Sequence, residues 1–154
     1  MNRDTRVFFD ASVLVSAAYS LKGGSSRVIR LCELGGLAAV TSILVLNEAE
    51  RNLREDFPSE SLQRLNSFLQ TAPWIVLDLP SAQAVAECQR LIDADDAHVL
   101  ASALAGQVSY LLTLDRKHFF TNRLSQAHLP FVICTPGEFI QQYLPQHEDY
   151  PLPA

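Results

Sequence analysis

Residues 6–20 read RVFFDASVLVSAAYS: a run of Val and Phe, one carboxylate at Asp10, then a second apolar run. Val7, Phe8 and Phe9 carry nothing polar and favour extended chain, so they read as the centre of a strand buried on both faces of a parallel sheet. The residues after Asp10 read as a helix reaching Tyr19. Burying an isolated carboxylate is costly unless it neutralises, pairs or binds a cation. Asp10 stands where strand gives way to helix, with no opposite charge beside it.

Working outward, LKGGSS (21–26) breaks the first helix, and Ser25 or Ser26 is placed to cap a second that runs to Leu34 and stops at Gly35 and Gly36. LAAVT (37–41) predicts a short strand. Thr41 or Ser42 then caps a helix with Leu46, Ala49, Leu53 and Phe57 at helical spacing, ended by Pro58. A helix over 59–70 sets Leu62, Leu65 and Leu69 on one face, and WIVLDLP (74–80) predicts another strand. Further helices are expected over 81–92 and from DADD (93–96) to Gly106. VSYLLTLD (108–115) and FVICTP (131–136) read as strands, and Pro136 opens a last helix to Tyr143. This alternation predicts an α/β three-layer sandwich with a mostly parallel sheet and helices on both faces.

The 154 residues, 48% hydrophobic and 19% charged, describe one soluble globular domain over 1–144. The tail 145–154, PQHEDYPLPA, has three prolines and little to pack, so it is expected to be extended or disordered, with docking on a partner as the alternative. No apolar stretch approaches the ~20 residues of a membrane span. Asp4 and Asp10 interrupt any secretory leader, and a cytoplasmic protein without membrane contact is expected. Cys32, Cys88 and Cys134 each lie in or beside apolar sequence without a second ligand at zinc spacing, which suits buried reduced thiols. A net charge of −5 runs against nucleic-acid binding in general. Acids sequestered around metal ions, however, would leave room for local basic patches.

The strands place Asp10 and Asp115 at the ends of two of them, where functional sites of open parallel sheets gather. Glu48 lies one helical turn after Leu44, and Asp96 lies three and four residues before Val99 and Leu100, so each adjoins a buried helix face. Four converging carboxylates would repel one another and raise their own pKa values, and a divalent cation is the natural remedy. Mg²⁺ or Mn²⁺ takes such oxygen ligands and activates water against a phosphodiester.

The order FFDASVLVSA, SILVLNE, DADDAHVLASAL, YLLTLDRKHF resembles the PIN-domain family of metal-dependent ribonucleases over about residues 6–140. The resemblance implies strand order 3-2-1-4-5 and an Mg²⁺/Mn²⁺ site, with metal-binding roles on Asp10, Asp96 and Asp115 and a catalytic role on these and Glu48. Small bacterial members include VapC-type toxins, which cut RNA and are held by an antitoxin protein. A ribonuclease toxin with an antitoxin partner, dimerising with itself, is therefore the expectation. Ser12 and Thr113 match small polar residues that flank the acids in the family, and Asp95 competes with Asp96 but looks like the helix cap. Arg116, Lys117, His118 and Arg123 follow the last acid closely and are candidate RNA contacts.

Plainer readings stand beside these. Asp10 and Asp115 can cap turns, Glu48 can pair with Arg51, and acids at 93–96 suit a helix start. Many relatives carry a further acid or Asn after the fourth motif, where this chain has Arg116, Lys117 and His118. That difference favours an RNA- or protein-binding module on the same fold. FFDAS also matches the nucleophile motif of haloacid-dehalogenase-like hydrolases, a third reading.

Overall fold

The computed structural model describes residues 1–152. Strands β1 (Arg6–Phe9), β2 (Ala38–Ser42), β3 (Ile75–Leu77), β4 (Tyr110–Leu112) and β5 (Val132–Cys134) form an all-parallel sheet ordered β3-β2-β1-β4-β5. Strand β1 lies at the centre, with Val7 opposite Ala39 on one side and Tyr110 on the other. Val7, Phe8 and Phe9 are fully buried, which is why this segment carries no polar residue.

Helices α1 (Ala11–Tyr19), α2 (Gly24–Glu33), α3 (Ile43–Asp56) and α4 (Ser59–Thr71) accompany the steps from β1 out to β3. The chain then crosses back, through α5 (Ala82–Cys88) and α6 (Ala97–Ala105), to β4 on the other side of β1. Right-handed crossovers that reverse direction place the two sets of helices on opposite faces. Helices α1 to α4 pack among themselves, α5 packs on α6, and α2 and α6 both reach β2. The reversal leaves a crevice between the carboxyl ends of β1 and β4, the place where ligands of open sheets bind.

Several elements differ from the sequence reading. Gly23, not a serine, occupies the N-cap of α2, and Ser26 instead donates its hydroxyl to the carbonyls of Ala17 and Ser20. The exit of α2 follows expectation: Gly35, at φ +79°, and Gly36 donate back to Cys32 and Leu31. Ser42 caps α3, accepting from the Val45 amide at 3.2 Å. Strand β3 is a three-residue edge with Val76 44% exposed. Strand β4 ends at Leu112, so Asp115 lies three residues past it and caps the short helix α7 (Arg116–Phe119). Beyond α8 (Asn122–Gln126) and β5, α9 (Pro136–Glu138) widens at once into a π-helical turn over Phe139–Tyr143. Pro145, which lacks an N–H and whose ring crowds the carbonyl four residues back, accounts for the loss of regular helix there.

Residues 145–152 lie against the chain's own body rather than standing free. His147 is buried, its Nε2 2.8 Å from the Gly36 carbonyl, and Glu148 donates its amide to the Met1 carbonyl at 2.9 Å. Arg3 and Asp149 approach to 3.6 Å, and Leu152 packs against Gly36. Residues 153–154 of the expected tail lie outside the described residues.

The three cysteines are buried and unpaired. Burial pushes the Cys32 and Cys134 thiols up to about 12 and raises Cys88 as well. Only the thiolate is nucleophilic. The native protein should therefore leave all three thiols unmodified by iodoacetamide at about pH 8, with full reaction after denaturation; mass spectrometry of the alkylated chain reads the difference.

Candidate metal centre

Asp10 is 6% exposed, and its carboxylate is held by three donors from the crevice. The Ala11 amide donates to Oδ1 at 2.8 Å, Thr113 donates its hydroxyl to Oδ2 at 2.7 Å, and the Ser12 hydroxyl lies 3.4 Å from Oδ2. The hydroxyls in turn accept from the backbone beyond β4: Leu114 N–H reaches Ser12 at 3.0 Å, and Asp115 N–H reaches Thr113 at 3.1 Å. Ser12 and Thr113 thus join Asp10, the residue between β1 and α1, to the loop that carries Asp115. Burial raises the Asp10 pKa; the bonds from Thr113 and Ala11 oppose the rise, and the charges of Glu48 and Asp115 add to it.

Glu48 projects from α3 and is half-buried, its carboxyl raised by burial and by the charges of Asp96 and Asp115, against a lowering from Arg51. Arg51 therefore acts on Glu48 through charge without cancelling its exposure to the other acids. Asp96 is raised by burial first, lowered by His118, and raised by Asp115, Asp10 and Asp93. The four acids come from segments far apart in sequence, yet each lies in the field of others, and the charge of Asp115 bears on all three. Such a set of hard oxygen donors fits Mg²⁺ or Mn²⁺.

His118, read from sequence as an RNA contact, stands among the acids. Its Nδ1 is 2.8 Å from Asp115 Oδ2 and 3.7 Å from Asp96 Oδ2, and its Nε2 is 3.2 Å from Asp93 Oδ2. The bond to Asp115 is the main cause of its raised pKa, with the three carboxylate charges adding to it against some desolvation. When protonated, the ring is an internal counter-charge to these acids. Among the described residues, the ligand atoms that lie within 4.8 Å of one another as a group of three belong to Asp93, Asp96 and His118, not to Asp10, Asp96 and Asp115.

Asp93 went unrecognised as a member of the site, although its place three residues before Asp96 in DADD was a usable signal. Asp95 is exposed, and no side-chain cap bond forms at the turn Ala94–Asp96 or at α6, whose N-cap position is Asp96. Its expected capping role is therefore not present. His98, two residues on from Asp96, was also missed. Its Nδ1 is buried without a hydrogen-bond partner among the described residues, and burial lowers its pKa against the pull of Asp10, Asp96 and Asp95. Arg116 is committed elsewhere, 3.0 Å from Glu138 Oε1 and stacked over Phe120 at 5.1 Å. Lys117 and Arg123 are exposed.

A pH dependence follows from these shifts. Asp10, Glu48 and Asp96 hold protons to higher pH when folded than when unfolded, so each favours the folded state in acid and loses that contribution as pH rises through its folded pKa. His118, also raised, adds a loss of the same sign at higher pH, whereas His98 works in the opposite direction as acid protonates it. In chelator, these groups should therefore make Tm fall as pH rises above the ordinary carboxylate range, about pH 4, and Asp10→Asn should flatten that fall. A Tm that climbs steadily over the same window would contradict the convergence of these acids.

A family model described as the PIN domain matches residues 6–117. The chain belongs to the PIN-domain family, and its sheet order is the one the resemblance implied. Membership sets aside the dehalogenase-like reading of FFDAS. The fold is similar to VapBC2 from Rickettsia felis, solved bound to a DNA fragment from their promoter (TM-score 0.63, 15% identity, 85% of this chain and 98% of that one). It is also similar to Mycobacterium tuberculosis VapC20, a sarcin-ricin loop cleaving toxin (0.54, 13%, 72% and 91%). PAE2754 from Pyrobaculum aerophilum is a third (0.54, 20%, 84% and 83%). No curated protein matches the sequence. Among the described residues, no helix is long and apolar enough to cross a membrane.

Proposed function

We propose that this protein is a metal-dependent endoribonuclease, the toxin of a toxin–antitoxin pair, and that Asp10, Asp96 and Asp115 hold Mg²⁺ or Mn²⁺ with Glu48 completing the site. The observation that carries the reading is the convergence of these four carboxylates at the switch point of a PIN-domain sheet. A bound divalent cation supplies charge that offsets the phosphodiester and lowers the pKa of water. The protein's own part is positional. Ser12, Thr113 and the Ala11 amide fix the Asp10 carboxylate, and the Asp115 carboxylate is fixed as the cap of α7, accepting from His118 N–H at 3.2 Å. Glu48, half-buried on α3 within the field of Asp96 and Asp115, completes the site or orients the attacking water. The Rickettsia and Mycobacterium structures support RNA as substrate and an antitoxin protein as partner, and the family resemblance is the basis for a homodimer as the assembly.

The test is metal removal. Purified protein should cut single-stranded RNA internally with Mn²⁺ or Mg²⁺, stop in chelator, and resume when metal is restored. RNA that stays intact across a metal series yet binds the protein would favour the non-catalytic module, for which the missing further acid after Asp115 is the sequence argument.

A further inference from the structure

Beside the acids, a cavity of about 430 Å³ opens between the turn after α5 and the start of α7 and α8. Asp93 and His118, members of the candidate metal centre, close one wall. Lys117 and Arg123 line it with positive charge, and Leu91 and Ile92 give it an aliphatic surface. The volume lies in the range of small-molecule sites. Neither cation has an ion-pair partner among the described residues: Arg123 Nη1 reaches only the Arg90 carbonyl at 3.5 Å. Arg116, their neighbour, is paired with Glu138 and lines no part of the cavity. In a chain of net charge −5, two free cations in one cavity that shares residues with the acids single it out.

We propose that this cavity is a nucleotide subsite, in which Lys117 and Arg123 hold the backbone phosphate next to the scissile one while Leu91 and Ile92 meet the adjoining base or ribose. The proposal rests on RNA being the substrate, and it adds where the strand lies: it leaves the metal centre towards α8 rather than across α9. Phosphate contacts fix register without reading sequence, so the subsite positions the strand and leaves base choice open.

The test uses Asp10→Asn protein, in which cleavage is blocked, and a fluorescein-labelled single-stranded RNA of about twelve nucleotides. In that background Lys117→Ala/Arg123→Ala should weaken binding, read by fluorescence anisotropy, at least about tenfold. The slope of log K against log salt should shrink by about 0.7 for one shared phosphate, or about 1.4 for two. Arg27→Ala/Arg30→Ala removes the same net charge from exposed positions on α2 and should stay within about twofold of the parent. Lys117 and Arg123 are exposed, so folding should be unaffected, and thermal melts check it. Equal losses in both pairs, an unchanged slope, or no binding by the parent overturns the subsite. Failure of the nuclease reading is seen separately, as wild-type protein that leaves the same RNA intact with Mn²⁺.

Discussion

Asp96→Asn is expected to lower the rate of Mn²⁺-dependent RNA cleavage on the order of a thousandfold, roughly 4 kcal/mol of transition-state stabilisation. Asn keeps the size and one acceptor oxygen of Asp but carries no charge for a cation. The same substitution should not cost stability. Asp96 is raised by burial and by three neighbouring carboxylates, so its charge is a liability to the folded state in chelator, and His118 keeps its shorter contact with Asp115 when Asp96 is neutral. The joint signature is lost cleavage with Tm equal to or above wild type in chelator. Loss of both activity and Tm would mean that Asp96 is structural and that the site has been misplaced. Undiminished cleavage would remove the metal-binding role altogether.

Phe9→Ala is the largest expected change in stability. Phe9 is 0% exposed at the end of β1, faces Leu112 across the sheet, and meets Trp74 edge to face at 5.1 Å between ring centroids. Truncating a buried Phe to Ala costs about 3–5 kcal/mol, because the apolar contact is lost and a cavity remains. At this chain length each kcal/mol moves Tm by about 2–4 °C, so a fall of roughly 6–20 °C is expected. Val76→Ala, on the half-exposed edge strand, should change stability by about 0.5 kcal/mol or less. Denaturant melts of the two variants give the comparison, and similar midpoints would show that β1 does not anchor the core.

Phe9 adjoins Asp10 in sequence, and that juxtaposition explains much of what the sequence disclosed. An unbroken Val-Phe-Phe before an acid is legible because a central parallel strand leaves no face for polar residues. The strand order came through the family resemblance, since local pattern does not say which strands pair. Asp115 was assigned to its strand because VSYLLTLD is extended in character throughout, whereas pairing stops at Leu112 and the backbone turns there to feed the hydroxyls of Ser12 and Thr113. The contact of Leu114 with Ser12 spans 102 residues, beyond any sequence window. The approach of His118 to the acids is illegible for a related reason: a four-residue helix has too little periodicity to say which way its residues face. Asp95 and Asp96 compete in the sequence because the chain passes both in a three-residue 3₁₀ turn over Ala94–Asp96, whose spacing differs from that of an α-helix.

The docking of residues 147–152 beside Met1 has a practical bearing on all these measurements. Met1 precedes the start of β1, while the carboxylates gather past the strands' other ends, so residues 1 and 148 sit together on the side away from the crevice. An affinity handle on the amino end would tether the protein to a bead or sensor chip with its acidic crevice directed outward. Immobilised this way, the molecule offers RNA an unobstructed approach, and kinetic sensing of strand capture can proceed without the support crowding the crevice.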